Sequence, residues 1–265
     1  MKKIISLVLA LIMCAFVFAS CSKPEEAKEK LVVGYTLYEP MNYEDEAGNL
    51  VGFDTELAQA VAEKLGMEVE FKLIEWKNKY LELESGNINC VWNGFTFNCA
   101  DDDGVQRSEK VDFSVAYMNN EQCVVVRKAD LATLNTADAL KDKKGAAEDG
   151  SAGEGVVKGF LADEANYVGC DAQTNTLTEL LGNQVNFVVI DKTMAKSLIG
   201  QGSYADLAIA DGIEIESEMY AVGFKKGSDL TAKVNEAIKQ LAADGVVMNL
   251  AVKYGLENYV ITNFN

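Results

Sequence analysis

The chain has 265 residues, 49% of them hydrophobic and 25% charged, which is enough to bury a core in one large domain or two modest ones and argues against disorder. Its formal net charge of −17 argues against nucleic acid as a partner. The sequence contains no histidine, which removes the commonest metal ligand and the commonest general base. We therefore expect no metal site and no cofactor.

The amino terminus has the pattern of an export signal. Two lysines precede an apolar stretch from Ile4 to Phe18, which is typical of a secretory signal peptide. The same stretch is close to the length of a membrane-spanning helix, so an uncleaved anchor is the alternative. We predict a cleaved signal peptide over residues 1–20 and no further membrane segment.

The tetrapeptide Phe18-Ala19-Ser20-Cys21 resembles the bacterial lipobox, in which the cysteine is lipidated and becomes the first mature residue. Phenylalanine at its first position is less usual than leucine. Acyl chains on Cys21 would hold the protein at a membrane, because each buried methylene adds about 0.8 kcal/mol. We therefore predict an exported protein, periplasmic or extracellular, that is lipid-anchored to the outer face of the cell membrane through a flexible tether over residues 21–30.

After the tether, strand-like and helix-like segments alternate along the chain. The predicted strands lie at residues 31–33, 68–74, 88–92, 122–127, 144–148, 186–190 and 221–225. The predicted helices are one that Asp54 caps and Gly66 ends, a short one ending near Gly86, one after Ser151, one near 177–181 and one over 230–243. This alternation predicts an α/β fold with parallel sheets and helices on both faces.

The predicted strand at residues 186–190 runs directly into a carboxylate. Its apolar run from Phe187 to Ile190 is typical of a strand buried on both faces. Asp191 follows at once, and a carboxylate in that place needs a partner. It either caps the helix that begins at Lys192 or faces a ligand at the sheet edge, where open α/β sheets bind their ligands.

Four cysteines belong to the predicted exported part: Cys90, Cys99, Cys123 and Cys170. No pair has the spacing of a metal site, whereas an even number outside the cytoplasm permits two disulfides. Cys90 and Cys123 lie in apolar strand-like runs, where a free thiol acts as a small hydrophobe. We predict mostly buried free thiols, with a disulfide as the alternative.

Six segments together resemble the solute-binding proteins of polar amino-acid ABC importers. They are GFDTELAQAVAEKLG at 52–66, GFTFN at 94–98, VDFS at 111–114, VVIDKTMA at 188–195, YAVGFKKGSDLTAKVNEAIKQLAADG at 220–245 and VKYG at 252–255. They cover essentially the whole mature chain, in order. The chain is thereby identified as a family 3 extracellular solute-binding protein in its lipoprotein form.

The resemblance implies a type II periplasmic-binding-protein fold, in which two Rossmann-like α/β lobes are joined by two crossing strands and close on a ligand. One lobe would comprise residues 31–117 plus 221–265, and the other residues 121–216. The hinge strands would lie at about 117–122 and 218–220. Composition alone marks no such boundary.

A zwitterionic amino acid in a closed cleft needs an opposite charge for its carboxylate and another for its ammonium. In the family an arginine shortly before the VDFS-like segment binds the carboxylate, and Arg107 stands five residues before Asp112. Its planar fork suits bidentate binding. Asp191 resembles the aspartate that receives the α-ammonium from the opposite lobe, so that a bound ligand favours the closed form.

The segment between GFTFN and Arg107 departs from the family, because it is longer than the resemblance leads us to expect. The alternative is that Arg107 pairs on the surface with an aspartate of this segment, Asp101, Asp102 or Asp103. The three aspartates lack the glutamate and the spacing of a calcium loop, so a solvated loop is the favoured interpretation.

The resemblance assigns backbone groups to the ligand carboxylate as well. Gly94 would let the backbone approach the ligand, and Thr96 would offer a hydroxyl and an N–H group. The loop EDGSAGEG at 148–155 resembles the family's loop on the facing lobe, where Ser151 and Ala152 would present N–H groups at a helix amino terminus, a natural anion site. Ser151 as a helix cap only is the alternative.

Aromatic and polar residues would surround the ligand side chain. Tyr38 and Trp76 occupy positions where the family often places aromatics against the ligand, although an aromatic there is equally a core candidate. The remainder of the pocket would be lined by Tyr35, Glu39, Trp92 and Asn93. Without a clear matched charge, neutral, polar, cystine-like and basic amino acids stay open as ligands.

The resemblance implies a monomeric, non-catalytic protein that captures a free amino acid or a close derivative and delivers it to the permease of an ABC transporter. The enzyme alternative is a cyclohexadienyl-type dehydratase, since some members of the family have become such enzymes. Its general acid would be Glu39, Glu75 or Glu148. The third alternative is a ligand-sensing module that signals to a membrane partner.

Overall fold

The structure is a computed structural model that describes residues 28–101 and 103–264. The predicted signal peptide and the predicted lipidation site Cys21 lie outside these described residues. Two α/β lobes, each built on its own sheet, make up the described chain. None of the helices in these two ranges combines the length and the apolar character needed to cross a bilayer.

The strands of the described residues include one at each of the seven predicted positions and six that the alternation along the sequence did not predict. They are β1 Lys30–Tyr35, β2 Tyr43–Glu44, β3 Leu50–Val51, β4 Glu68–Leu73, β5 Cys90–Val91, β6 Asp112–Phe113, β7 Met118–Arg127, β8 Gly145–Glu148, β9 Tyr167–Cys170, β10 Phe187–Asp191, β11 Leu207–Ile209, β12 Ser217–Tyr220 and β13 Gly223–Phe224.

The helices lie between the strands and at the carboxyl end. They are α1 Phe53–Leu65, α2 Lys79–Glu84, α3 Arg107–Lys110, α4 Ala137–Leu140, α5 Ala152–Phe160, α6 Gln173–Leu181, α7 Lys192–Leu198, α8 Leu230–Ala243 and α9 Val246–Lys253. Short 3-10 turns lie at Trp76–Asn78, Lys128–Asp130, Glu164–Asn166 and Gly202–Tyr204.

The first lobe is built on the sheet β4-β1-β5-β13-β6. Strand β1 runs parallel to β4 and to β5, so that Val33 lies opposite Phe71 on one side and Cys90 on the other. Strand β13 is antiparallel to both of its neighbours, β5 and β6. Because β13 comes late in the chain, the first lobe contains two separate stretches of sequence.

The second lobe is built on the sheet β11-β7-β10-β8-β9. Strands β8 and β10 are parallel neighbours, with Phe187 opposite Gly145. Since parallel strands end at the same edge of a sheet, Glu148 at the end of β8 and Asp191 at the end of β10 come together there. All five residues of β10 are buried, which confirms the prediction of a strand buried on both faces.

Strands β7 and β12 connect the two lobes. They pair antiparallel from Met118 opposite Tyr220 to Glu121 opposite Ser217, and β7 then continues into the second sheet. These are the two crossing strands that the fold requires. The cleft between the lobes therefore lies directly beside their paired segment.

The beginning of α1 differs from the prediction. The helix starts at Phe53, its N-cap position is Gly52, and Asp54 makes no cap. The Asp54 carboxylate is buried and accepts bonds from the Gly94 N–H at 2.8 Å and the Tyr117 hydroxyl at 2.9 Å. The helix ends as predicted, with Gly66 in the left-handed conformation at a φ of 69°.

Other boundaries shift by a few residues. The predicted strand at 88–92 shortens to Cys90–Val91, because the Asn89 side chain takes the Val32 N–H at 2.7 Å in place of a backbone partner. The helix over Leu230–Ala243 has its predicted bounds. Cys90, Cys123 and Cys170 are buried free thiols, and Cys99 is a half-buried one.

Candidate functional site

A small cavity lies between the two lobes at the edge where β8 and β10 end. Residues of both lobes form its walls. They are Trp76, Asn93, Gly94, Thr96, Arg107, Gln122, Glu148, Ser151, Ala152, Gln173 and Asp191. The structure thus brings together eight of the ten predicted ligand-binding residues.

Arg107 begins α3 and is 1% exposed. Its Nε donates to Asp101 Oδ1 at 2.8 Å, its Nη1 to the Thr96 carbonyl at 3.1 Å and its Nη2 to the Gly150 carbonyl at 3.0 Å. The last of these bonds crosses the cleft to the second lobe. The guanidinium therefore lies in the cavity wall with all three nitrogens bonded.

The long segment before Arg107 folds back on itself and keeps the arginine in the cleft. Ala100 bridges to Gln106, and the Arg107 N–H donates to the Cys99 carbonyl at 3.1 Å. Arg107 does pair with Asp101, as the alternative interpretation held, but this carboxylate is only 11% exposed, so the expected surface location is wrong.

The pKa of Asp101 reflects its cationic surroundings. Burial opposes ionisation, but the charge of Arg107 and hydrogen bonds from Lys110 and Tyr80 hold the pKa of this carboxyl at about 2. The Lys110 ammonium donates at 2.8 Å and the Tyr80 hydroxyl at 2.6 Å. Asp101 is therefore ionised and fixes the orientation of the guanidinium.

The Gly150 carbonyl receives three donors from the first lobe. Besides Arg107, the Trp76 indole N–H lies 3.1 Å away and the Lys79 ammonium 2.9 Å away. Lys79 is 1% exposed, and burial together with the charge of Arg107 lowers its pKa to about 7. Two cationic side chains and an indole thus converge on one carbonyl oxygen, an arrangement that also suits a carboxylate oxygen.

Asp191 ends β10 and accepts four side-chain hydrogen bonds. Its Oδ1 accepts from Asn120 at 2.7 Å, Gln122 at 2.8 Å and the Tyr220 hydroxyl at 2.5 Å, and its Oδ2 accepts from Gln173. Burial raises the pKa of this carboxyl against the effect of these bonds. Helix α7 begins at the next residue, but the Asp191 side chain makes no capping bond.

Asp191 is linked to the crossing strands through a second carboxyl, Glu218. The Glu218 Oε1 shares two donors with Asp191, accepting from Asn120 at 2.6 Å and from Gln122 at 2.8 Å. Burial, followed by the charge of Asp191, raises the pKa of Glu218 to about 7. Residues of β7 and β12 therefore surround the carboxylate that faces the cavity.

Glu148 is a third carboxyl at this edge, and sequence reasoning did not assign it to the ligand. It is 3% exposed, and its Oε1 has no hydrogen-bond partner. Burial and the charge of Asp191 raise its pKa to about 8. Its sequence signal is close to the one that singled out Asp191, because Glu148 is a carboxylate at the end of a buried strand.

Ser151 and Ala152 lie at the amino end of α5, as predicted. The Ser151 hydroxyl caps the helix by accepting from the Glu154 N–H at 3.2 Å. The Ser151 N–H already donates to the Glu148 carbonyl at 3.1 Å. The backbone turn is held further by Glu154, which accepts from the Gly150 N–H at 2.6 Å.

Gly94 and Thr96 form the first-lobe wall next to Arg107. Gly94 has a φ of 59°, and a Cβ there would lie 2.7 Å from Tyr38 Cε1. The neighbouring Asn93 is held by bonds to the Thr36 carbonyl at 2.9 Å and to Asn42 at 2.8 Å. A rigid turn therefore presents this part of the backbone to the cavity.

Two predicted aromatics lie outside the cavity wall. Tyr38 is buried, and its hydroxyl bonds to Thr193 of the second lobe and, at 2.7 Å, to the Tyr220 hydroxyl. Tyr35 packs edge-on against Phe71 with ring centroids 6.2 Å apart. Both residues pack in the protein interior, which was the alternative interpretation of an aromatic at these positions.

Trp92 and Glu39 also lie outside the cavity wall. Trp92 is fully buried, with its ring centroid 6.2 Å from that of Tyr117. Glu39 accepts a bond from Ser197 of the second lobe at 3.0 Å.

Sequence reasoning missed Gln122, Gln173 and Lys79, and it named Glu148 only as a candidate general acid of the enzyme alternative. Gln122 lies on a crossing strand and Gln173 opens α6, positions where a lone glutamine gives no signal. Lys79 reaches Gly150, a residue 71 positions away in the chain. Within the described residues, no group of three or more potential metal ligands occurs.

The two walls differ in charge. The first-lobe wall contains Arg107, with Lys79 of the same lobe bonded to Gly150, and the second-lobe wall contains Glu148 and Asp191. A small molecule with a negative group at one end and a positive group at the other can match both walls. The arrangement therefore suits binding of a zwitterion between the lobes.

Comparison with known proteins agrees with this geometry. Residues 31–257 match the family model of bacterial extracellular solute-binding proteins, family 3. The chain is 31% identical to the probable amino-acid-binding protein YxeM of Bacillus subtilis, covering 98% of each sequence. It is 28% identical to the L-cystine-binding protein TcyJ of Escherichia coli, covering 89% of this chain and 87% of the relative.

A solved structure is similar over most of the chain. An ancestral arginine-binding protein bound to arginine superposes with a TM-score of 0.76 and is 31% identical, covering 86% of this chain and 99% of the other.

Proposed function

The chain belongs to the bacterial extracellular solute-binding proteins of family 3, and from this premise we propose that it captures a free amino acid between its lobes and delivers it to the permease of an ABC importer. Its relatives are named as binding proteins for amino acids, cystine and arginine, so the chain is a binding protein and not an enzyme. The observation that carries the proposal is the cleft with Arg107 on one wall and Asp191 on the other.

We propose that Arg107 binds the ligand α-carboxylate, together with Thr96 and the backbone at Gly94. The Gly150 carbonyl now accepts from Arg107 Nη2 and Lys79 Nζ. A carboxylate is a stronger acceptor than a carbonyl for these cations, because it carries a full negative charge and can accept two parallel bonds from a guanidinium. The ligand would therefore displace Gly150 from the guanidinium.

On the second wall we propose that Asp191 receives the α-ammonium. Its Oδ2 accepts one bond in the structure, from Gln173, and an ionised carboxylate oxygen has room for a second donor. Ser151 and Ala152, at the amino end of α5 on the same lobe, would instead face the ligand carboxylate. Trp76 and Asn93 would line the remainder of the ligand.

We propose that the lobes comprise residues 31–117 plus 221–265 and residues 121–216, with the hinge at about 117–122 and 218–220. The pairing of β7 with β12 supports this division, because it is where the chain passes between the two sheets. Lipidation of Cys21 would tether a monomer to the outer face of the membrane beside its permease.

The test is a thermal-shift screen of the full chain, purified in mild detergent, against the twenty amino acids, cystine and citrulline. A micromolar ligand at millimolar concentration should add roughly 4 kcal/mol to the stability of the folded state. A shift with a defined amino acid supports the proposal. Absence of any shift across the panel would contradict it.

Two variants test the site. Arg107→Ala and Asp191→Ala should each weaken binding of the identified ligand by about 2–5 kcal/mol, because each leaves an opposite charge unpaired in the closed cleft. The matched control is Arg127→Ala, since Arg127 bonds to Asp130 at 2.7 Å and to two carbonyls away from the cavity. Unchanged affinity in both site variants would show that the assignment is wrong.

A further inference from the structure

The side chain of Glu148 lies in the cleft with an unfilled hydrogen-bonding position. The residue is 3% exposed and lines the cavity, and its Oε1 has no hydrogen-bond partner. Leaving a buried carboxyl oxygen unbonded is costly. A ligand group that reaches this oxygen therefore gains a bond that the protein itself does not supply.

The cations of the first lobe are bonded to other oxygens. Lys79 donates to the Gly150 carbonyl at 2.9 Å and to the Trp76 carbonyl at 3.5 Å, with the Tyr80 ring centroid 4.7 Å from its ammonium. Arg107 likewise gives its three nitrogens to Asp101 and to two carbonyls.

The side-chain amides of the second lobe also donate to groups other than Glu148. The Gln122 amide donates to Asp191 and to Glu218, both at 2.8 Å, and the Gln173 amide donates to Asp191. The sheet edge therefore holds one carboxyl group whose bonds are made within the protein and another with a free oxygen.

We propose that Glu148 forms a second recognition subsite in the cleft, which binds a cationic nitrogen on the side chain of the bound amino acid. The inference rests on the proposed function and narrows its ligand class to amino acids with a second positively charged nitrogen. A guanidinium or a second ammonium group has this chemistry, and a guanidinium matches a carboxylate with two parallel bonds.

The position of Glu148 beside Asp191 suits one ligand with two nitrogens. The two residues end neighbouring strands of one sheet, β8 and β10, and such strands lie about 4.8 Å apart. The α-ammonium at Asp191 and the side-chain cation at Glu148 can then belong to the same small molecule, while Arg107 holds its carboxylate.

The ionisation of Glu148 gives the subsite a second signature. The charged groups that act on it are Asp191, Lys79, Asp149 and Arg107. Burial, followed by the charge of Asp191, raises its pKa to about 8, so the carboxyl is mostly protonated at pH 7 in the closed cleft. Binding of a cation at the carboxylate must release this proton to the solvent.

The test is calorimetric titration of the full chain with L-arginine, L-lysine and L-ornithine, and with L-citrulline and L-norleucine as neutral counterparts. Each titration is repeated in two buffers of different ionisation enthalpy, which counts the protons released. The proteins are the wild type, Glu148→Gln, and the matched control Glu164→Gln, which changes an exposed glutamate of the same lobe.

We expect the wild type to bind at least one of the cationic amino acids about 30-fold or more tightly than its neutral counterpart, and to release a proton on binding it. Glu148→Gln should lose this preference and the proton release while it keeps its affinity for the neutral ligands. Glu164→Gln should behave as the wild type does.

Three results would overturn the subsite. They are equal affinity of the wild type for cationic and neutral ligands, an equal loss of all ligands in Glu148→Gln, and an unchanged preference in that variant. If Glu148→Gln does not fold, the comparison of charged and neutral ligands in the wild type decides alone. Binding of neutral ligands only would leave the proposed function intact, whereas binding of no amino acid would remove both proposals.

Discussion

The two walls of the cleft differ in sign and in how completely their charges are bonded. On the first lobe, Arg107 and Lys79 both donate to the Gly150 carbonyl, which belongs to the opposite lobe. On the second lobe, Asp191 accepts four side-chain bonds, whereas Glu148 has an oxygen that accepts none. The cations of the first lobe are therefore hydrogen-bonded to a carbonyl of the second lobe. The second lobe keeps one carboxyl oxygen, Glu148 Oε1, that accepts no hydrogen bond.

This difference indicates what a ligand must do at each wall. At the cationic wall it must compete with a carbonyl that is already in place, so a carboxylate has to gain more than Gly150 gives up. At the acidic wall it can fill a position that is open. Binding energy at the first wall is therefore a difference between two acceptors, while at the second it includes a new bond.

The largest expected effect comes from removing the carboxylate that pairs with Arg107. Asp101→Asn should lower the free energy of unfolding by about 3–5 kcal/mol, because it leaves the buried Arg107 without its carboxylate partner. The two side chains are 11% and 1% exposed. Urea unfolding at pH 7 measures the change.

The matched control is Asp103→Asn in the same segment. Asp103 is 57% exposed and pairs with Lys110, so its removal should cost less than about 1 kcal/mol. Because the pKa of Asp101 is held at about 2, below its usual 3.8, its contribution should be complete above pH 4 and be lost as the pH falls toward 2. Equal costs for the two variants would contradict this account of the wall.

The next largest effect concerns Tyr38, which links the two lobes by its hydrogen bond to Thr193. Gly94→Ala should destabilise the folded protein by about 1–3 kcal/mol, because the added Cβ would meet Tyr38 Cε1 at 2.7 Å in a left-handed conformation. Tyr38 bonds to Thr193 across the cleft, so its displacement should also weaken ligand binding. Thermal unfolding and calorimetric titration measure the two effects.

Gly86→Ala is the control for the cost of placing alanine in a left-handed backbone conformation. Gly86 also has a positive φ, 73°, but a Cβ there meets nothing within 4 Å. This variant should lose about 1 kcal/mol or less and keep full ligand affinity. If both variants bind ligand equally well, the tyrosine contact does not support closure.

The third effect concerns the protonation of Glu148 in the folded state. The pKa of Glu148 is raised from 4.5 to about 8, so the folded state holds a proton that the unfolded state releases. The wild type should therefore lose stability as the pH rises from about 4.5 to 8, with a contribution from this group of at most about 1.4 kcal/mol per pH unit. Glu148→Gln should flatten that slope.

Urea unfolding of both proteins at several pH values between 4.5 and 8 measures the difference in slope. Opening of the lobes solvates the carboxylate, so the observed slope should be below its limit. The Glu164→Gln variant should keep the wild-type slope, since Glu164 is exposed. Parallel slopes for the wild type and Glu148→Gln would show that Glu148 is ionised in the folded state.

Features that depend on neighbours in the chain could be predicted from the sequence. The buried strand before Asp191, the left-handed stop at Gly66 and the helix over Leu230–Ala243 are of this kind. Each follows from a run of residue types and one punctuating residue. The two-lobed arrangement needed the resemblance to a family, because no composition change marks the passage between the lobes.

Features that depend on distant partners could not be predicted. Asp54 has the sequence of a helix cap, but its carboxylate accepts from Gly94, 40 residues away. Lys79 has the sequence of a surface lysine, yet it is buried against Gly150. In the sequence, Glu148 and Asp191 look alike, because each ends a buried strand. Only the folded structure shows that the hydrogen-bond donors around them reach Asp191 and leave Glu148 Oε1 without a partner.

The smallest expected effect concerns the helix end on the acidic wall. Ser151→Ala should lower the free energy of unfolding by about 1 kcal/mol, because the Ser151 hydroxyl accepts from the Glu154 N–H and caps α5. The control is Ser85→Ala, whose exposed hydroxyl donates to the Glu82 carbonyl at 3.2 Å and should matter less.

Ligand binding distinguishes the two proposed uses of Ser151. Its hydroxyl is committed to the cap, and a backbone N–H group survives the substitution, so the affinity of Ser151→Ala should stay within about twofold of the wild type. Calorimetric titration alongside the unfolding measurement tests this. A large loss of affinity at unchanged stability would mean that the hydroxyl leaves the cap to bind the ligand, and the acidic wall would then have a second group whose bonds change when the cleft is filled.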